Sequence, residues 1–252
     1  MLKDKVLLIT GAGAGIGRAT ALAAAREGAL LALSDLKDDA VRETASLVQA
    51  AGGVVTAMSA DISDAKEVQA IVDAAVHHYG RLDHAFNNAG VAQWQVGAAG
   101  CKVAELSEEA FAKIISINLM GTWLCMRAEI EHMRRHGGGA IVNTASISGL
   151  MGMVRSGAYV ASKHAIIGLS KSAALDYAEA NIRINCVCPG FVDTVFVQAA
   201  MADRGPQLMA SVPMQRMAQP EEISEMVLWL LSSKSGYVTG GAFPIDGGVT
   251  AG

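Results

Sequence analysis

Charge is scarce in this chain: Asp, Glu, Lys and Arg make up 17% of its 252 residues, against the roughly 25% usual in globular proteins. Much surface is therefore expected to be buried, inside the fold or between copies of the chain. The charges present form no basic stripe and sum to −4, so nothing recommends a nucleic acid or an anionic membrane as partner. Cysteine is also sparse. Cys101, Cys125, Cys186 and Cys188 follow no metal-ligand spacing and accompany no secretion signal, so reduced thiols are expected. Cys186 and Cys188 lie two apart in an apparent strand, on one face, as small buried hydrophobes do. No run reaches the 18 or so uninterrupted apolar residues of a membrane span, and the opening MLKDKVLLIT has no cleavage-site pattern. A cytoplasmic protein with no membrane partner is expected. No linker or repeat divides the chain, which points to a single domain over 1–252.

What is present is alternation. Apolar runs of strand length occur at 6–10, 30–34, 54–58, 82–88, 140–146 and 183–189, each bounded by Gly, Asp or Pro. Helical patterns separate them, among them 17–29, 65–80, 108–139 and 158–180. Parallel strands need crossovers and crossovers are right-handed, so this rhythm predicts an α/β fold: a Rossmann-type doubly wound parallel sheet with helices on both faces. Ligands of such sheets sit beyond the carboxyl ends of the strands, where strand order reverses. The stretches 91–106 and 191–220 read as loops at such ends, the second with room for short helices.

TGAGAGIG, Thr10 to Gly17, follows the first strand and opens the first helix. Small residues there let the backbone approach a pyrophosphate, and the helix's positive end favours its charge. Glycines also make ordinary tight turns, so this pattern alone leaves both readings open. Asp35 ends the second strand, 18 residues past Gly17, where a carboxylate can accept hydrogen bonds from the ribose of NAD and repel the 2′-phosphate of NADP. NAD is therefore expected over NADP. The bland alternative for Asp35 is a helix cap or turn residue, and Lys37 nearby could soften the exclusion.

Tyr159 and Lys163 stand four apart in a stretch of small and apolar residues, so a helix would project both from one face. Free phenol and lysine titrate near 10 and 10.4, too high for proton transfer at neutral pH. An ammonium held close is expected to favour phenolate and lower the Tyr159 pKa, as would the positive nicotinamide of an oxidised cofactor. The tyrosine could then exchange a proton with an alcohol or ketone as hydride moves. A plain surface Tyr/Lys pair is the competing reading.

In order along the chain stand T-G-x-x-x-G-x-G at Thr10 to Gly17, N-N-A-G at Asn87 to Gly90, Asn118 in INLMG, Ser146 in NTASISG, and Y-x-x-x-K at Tyr159 to Lys163, 13 residues after Ser146. With these motifs the chain resembles a short-chain dehydrogenase/reductase over nearly its whole length. The resemblance implies four catalytic residues. Ser146 would steady the substrate oxygen; Tyr159 would be general acid in reduction and general base in oxidation. Lys163 would lower the tyrosine pKa and bind the nicotinamide ribose, and Asn118 would hold a water linking Lys163 to solvent. For the cofactor the resemblance implies contacts from Gly11, Ala14, Gly15, Ile16, Gly17, Asp35, Asp61, Ile62, Asn88, Ala89, Gly90, Tyr159, Lys163, Pro189, Gly190, Val192 and Thr194. Asp61 has a cap for the following helix as its alternative. The stretch 243–248 resembles the family's last strand and turn.

Asn88 to Asn118 spans 30 residues, more than in many relatives, which marks 93–102 as an insertion at the pocket rim. Trp94, Met151, Met153, Phe191, Phe196 and Met209 fall in segments that surround the substrate in this family, suggesting an apolar pocket for a hydrophobic ketone or secondary alcohol. Arg155 reads as a solvated loop charge rather than a partner for an acidic substrate. His132 and His136 have zinc-like spacing but no third ligand, so no metal is expected. The helical stretches 108–136 and 158–180 carry more apolar surface than one sheet face covers. The resemblance implies a homotetramer built on them. The leading expectation is an NAD-dependent alcohol dehydrogenase or ketone reductase. Its alternatives are a catalytically inactive dinucleotide-sensing binding protein and a dehydratase or epimerase with NAD as retained group.

Overall fold

The computed structural model describes residues 1–251, and the side chains of all of these but 199–204. Seven strands form one sheet: β1 (Val6–Thr10), β2 (Leu30–Asp35), β3 (Val54–Ser59), β4 (His84–Asn87), β5 (Gly139–Thr144), β6 (Ile182–Pro189) and β7 (Ala242–Ile245). Every pairing is parallel. The spatial order is β3-β2-β1-β4-β5-β6-β7, so winding reverses between β1 and β4 and opens a crevice beyond their carboxyl ends.

Successive side chains of a strand point to opposite faces, and in β1 both faces are dry. Leu7 and Ile9 join one buried cluster, Val6 and Leu8 the other. A strand covered on both sides therefore reads as a continuous apolar run rather than an alternating one. The first face is covered by α1 (Gly15–Arg26), α2 (Asp38–Ala50) and α8 (Pro220–Leu231), the second by α3 (Ala65–Tyr79), α5 (Thr122–Arg135) and α6 (Gly157–Tyr177). Asp64 starts α3 by accepting from the backbone N–H groups of Lys66 and Glu67, and Gly80 ends it at φ +77°.

Two segments depart from expectation. The pattern at 108–139 is three pieces: α4 (Glu108–Ile114), a π-helical turn (Ile115–Gly121) containing Asn118, and α5. Widened turns of this kind cluster at functional sites, and apolar periodicity does not reveal them. The second, within 191–220, contains α7 (Val195–Ala210), a 16-residue helix in place of the short ones expected. Gly205 and Pro206 sit inside it, residues that ordinarily signal a break. No helix among the described residues is long and apolar enough to cross a membrane.

Candidate active site

The crevice at the reversal is a cleft of about 1050 Å³. One end of it is built by the turn between β1 and α1. A side-chain carbon on Gly13 would fall 2.9 Å from the Asp35 carboxylate, whose Oδ2 accepts from the Gly13 N–H at 2.9 Å and whose Oδ1 accepts from the Lys37 N–H at 3.1 Å. Asp35 thus ties the turn and still faces the cleft with its remaining lone pairs. The second half of the crevice is fixed by Thr10, whose hydroxyl accepts from the N–H groups of Asn88 and Ala89, and by Asn88, whose amide donates to the Gly11 carbonyl. At its N-terminus α1 has neither a side-chain cap nor an acidic residue in its first turn. Its first N–H groups are left to an anion.

Of the residues expected at the cofactor, Gly11, Ala14, Gly15, Ile16, Asp35, Asp61, Ile62, Asn88, Ala89, Gly90, Pro189, Gly190, Val192, Thr194, Tyr159 and Lys163 all line this cleft. Gly17 does not. A side-chain carbon there would lie 2.1 Å from the Gly11 carbonyl oxygen, so its glycine is required for α1 to pack beneath the turn. Asp61 lines the cleft and also holds a turn, accepting from the Ser63 N–H and hydroxyl, while Asp64 is the residue that caps α3.

Ser146, Tyr159 and Lys163 line the same cleft further along. The helix spacing holds, but the ammonium is not aimed at the phenol. Lys163 Nζ donates to the Thr144 carbonyl at 2.7 Å and lies 5.6 Å from the Tyr159 ring centre. The expected lowering of the tyrosine is accordingly reversed: enclosure pushes Tyr159 up to about 12, with a hydrogen bond to Ser146 acting the other way. Burial pushes Lys163, only 4% exposed, down to about 8. Both shifts follow from penalising the charged form.

Asn118 is fully buried and does not line the cleft. Its Oδ1 accepts from the Val91 N–H at 2.8 Å, and its amide donates to the Val91 carbonyl at 2.9 Å and to the Ser162 hydroxyl at 3.1 Å. Both of its N–H groups are spent on protein, so its side chain clamps the end of the Asn88–Val91 turn to α6. A side-chain carbon on Gly90 would lie 3.2 Å from Asn118 Oδ1 and 3.7 Å from Lys163 Nζ, so both polar groups crowd the space that a Gly90 side chain would occupy.

At the substrate end Trp94, Met153, Phe191 and Phe196 line the cleft, whereas Met151 and Met209 do not. Met151 is exposed to solvent. Trp94 donates its indole N–H to the Phe196 carbonyl at 3.2 Å, closing the 91–100 segment against the start of α7. Arg155 also lines the rim, exposed as expected. Gln93 is a residue that reasoning from the chain alone misses. It is buried, accepts from the Ala158 N–H at 3.2 Å and donates to the Arg155 carbonyl at 3.2 Å, capping the helix that carries Tyr159. A glutamine in a loop gives no signal that it is buried. His132 and His136 stack on each other, and no metal-binding group is found among the described residues. Cys125, Cys186 and Cys188 are buried free thiols.

Comparison with known proteins bears on what the cleft does. A family model described as Enoyl-(Acyl carrier protein) reductase matches residues 11–250. The 2,5-dichloro-2,5-cyclohexadiene-1,4-diol dehydrogenase of Sphingobium indicum (strain B90A) is 40% identical over 254 residues, covering 99% of this chain and 98% of the relative. The cyclohexanol dehydrogenase of Acinetobacter sp. (strain SE19) is 40% identical over 248 residues, covering 98% and 96%. The crystal structure of levodione reductase matches with a TM-score of 0.94 at 35% identity, covering 100% of this chain and 99% of that one. Likeness of this extent makes the chain a member of the short-chain dehydrogenase/reductase family, an oxidoreductase that moves hydride between a nicotinamide cofactor and a secondary alcohol or ketone.

Proposed function

We propose that this protein is an NAD-preferring dehydrogenase of apolar cyclic secondary alcohols, and equally a reductase of the matching ketones, with Tyr159 as the proton-transferring group. The observation that carries this reading is the gathering of Ser146, Tyr159 and Lys163 in the cleft whose other end holds Asp35 and the uncapped start of α1. The reading of a dinucleotide is supported by that glycine turn, free of side-chain bulk, and the preference for NAD by a carboxylate that would accept from ribose hydroxyls and repel a 2′-phosphate. When bound, the cofactor supplies the hydride or accepts it.

The chain's own residues do the rest. Ser146 donates to the substrate oxygen, where charge changes as hydride moves. Tyr159, held protonated by its enclosure, gives up its proton in the reductive direction. In the oxidative direction it must lose that proton first, which its raised pKa opposes. Asn118 and Gln93 hold α6 against the 88–98 segment, so the phenol keeps its place. Trp94, Phe191 and Phe196 supply an apolar wall, which suits the cyclic diols and cyclohexanol named for the relatives. Phe111, Met120, Trp123 and Leu175, apolar and exposed along α4, the π turn, α5 and α6, fit burial between copies in a homotetramer.

The test is NADH formation from NAD with cyclohexanol and cyclic diols, for the parent and for Tyr159→Phe. The variant should lose about 100- to 10,000-fold in kcat, the scale of acid–base catalysis, with NADH affinity within about threefold of the parent. Near-parental turnover would remove Tyr159 from the proton step. NADH binding without turnover on any alcohol would favour a dinucleotide-sensing binding protein instead.

A further inference from the structure

Glu129 has no part in the chemistry above, yet it is a carboxyl group with 0% exposure on α5, in the apolar layer beneath the sheet. Its Oε2 accepts from the Asn87 side-chain amide at 3.0 Å. The other Asn87 amide hydrogen goes to Asn143 Oδ1 at 3.0 Å, and Asn143 donates onward to the Ser170 hydroxyl of α6 at 2.8 Å. Two oxygens of this network have no partner: Glu129 Oε1 and Asn87 Oδ1. They belong to facing groups already joined by one hydrogen bond, and both are acceptors. A carboxylate here would be an isolated buried charge beside a second unpaired acceptor, an unfavourable arrangement. A proton on Glu129 Oε1 would remove the charge and supply the kind of donor that Asn87 Oδ1 lacks, so that the two groups would pair as an acid and an amide do.

We propose that Glu129 is a neutral carboxylic acid at physiological pH, hydrogen-bonded reciprocally to Asn87, and that it acts as a positioning residue for the cofactor turn that begins at the next residue. Asn88 binds Thr10 and Gly11 of the phosphate loop, so the pair holds the underside of the turn on which both halves of the crevice meet. Ionising Glu129 breaks the pair and places an unbalanced charge below that turn.

The surroundings supply nothing to hold an anion. On its own helix the titratable groups one turn away are Cys125, whose thiol burial pushes well up, and His132, whose imidazole is held neutral by burial and by the neighbouring His136 and Arg135 and whose Nε2 is buried without a partner. Packed against α5, β5 and the π turn have no titratable residue and α3 presents Val68 and Val72. On β4, His84 alternates to the opposite face from Asn87, and burial takes its imidazole down to about 4, so it is neutral. On β6, Arg183 also points through to the opposite face, into the Leu230 carbonyl of α8, while Cys186 is pushed up to about 12. Lys163, on the same side of the sheet, is committed to Thr144. Burial takes Glu129 itself up to about 8 from an ordinary 4.5.

The sign of the consequence is fixed. A carboxyl whose folded pKa is raised binds a proton that the unfolded chain has released, so its contribution is intact below about 4.5, is lost as pH rises toward about 8, and is constant above. Glu129→Gln keeps the shape and supplies an N–H in place of the O–H. The difference in Tm between Glu129→Gln and the parent should therefore grow in favour of Gln from pH 5 to pH 8 and then level off. Lys163 also titrates in this range but is common to both proteins and cancels. In the intact parent, 13C-labelled glutamate should show one carboxyl carbon titrating near 8, a signal missing from Glu129→Gln. NADH affinity should fall about tenfold in Glu129→Ala, the scale of one buried hydrogen bond lost, and be restored in Glu129→Gln. A Tm difference flat with pH, or every carboxyl titrating below 6, overturns the proposal. Equal NADH affinity in the Ala and Gln variants overturns its positioning half. The positioning half rests on the cofactor reading of the cleft: absence of NADH binding in every protein would sink that reading, while the melting and titration results would still decide the state of Glu129.

Discussion

Replacing Asp35 with Asn tests the cofactor end of the cleft most directly. Each oxygen of Asp35 accepts from a backbone N–H, Gly13 at 2.9 Å and Lys37 at 3.1 Å. An Asn side chain can accept at one oxygen only, and its amide would meet the other N–H head on. The turn therefore loses one hydrogen bond, a cost of about 1 kcal/mol in stability. The larger effect falls on the cofactor. Charge-assisted hydrogen bonds from ribose hydroxyls contribute about 1.5–3 kcal/mol, so kcat/KM for NAD should drop roughly 10- to 150-fold. The carboxylate's repulsion of a 2′-phosphate, about 1–3 kcal/mol at partly solvated distances, is removed at the same time, so kcat/KM for NADP should hold or rise. Initial rates with both cofactors on one alcohol measure the ratio. A parent enzyme that prefers NADP, or an Asn variant with unchanged NAD efficiency, would refute the role given to Asp35.

Two further outcomes follow from the substrate end and from the buried lysine. Trp94→Phe keeps the apolar wall but deletes the indole N–H that reaches the Phe196 carbonyl; KM for the alcohol should rise about three- to tenfold with kcat little changed, as steady-state kinetics would show. Lys163→Met should be inactive yet at least as stable as the parent at pH 7 by thermal melting. Burial lowers the lysine to about 8, so between about 8 and 10.5 the unfolded chain binds more protons and the parent gains stability with rising pH. The Met variant should lack that rise, and its advantage should shrink across the same window. A Met variant that melts well below the parent at pH 7 would mean the lysine is held by interactions outweighing its desolvation.

The central strands and most of the helices are legible in the chain because both faces of the sheet are dry there. Runs such as Val6–Thr10 are uninterrupted for that reason. Boundaries fail where residues that usually break a helix sit inside one, as at α7, which runs through Gly205 and Pro206. The π turn around Asn118 shifts the helical phase by one residue, too small a step to be marked in a stretch of mixed apolar and polar residues. At the site, residue types and spacing are enough to gather Ser146, Tyr159 and Lys163. Direction is not, since Lys163 turns to the Thr144 carbonyl, a partner that strand pairing alone provides. Gln93 and Glu129 escape notice for the same reason: a polar residue reads as exposed until the fold buries it.

The strand-order reversal between β1 and β4 has a consequence for the integrity of the cleft. Asp35 and the glycine turn come from one wing of the sheet, Ser146, Tyr159 and Thr194 from the other, and the seam between them is sealed by Thr10, Gly11 and Asn88. Neither wing by itself contains a usable recognition surface. A dinucleotide lying along the crevice would act as a rivet through that seam, so occupancy and cohesion of the two wings rise or fall as one.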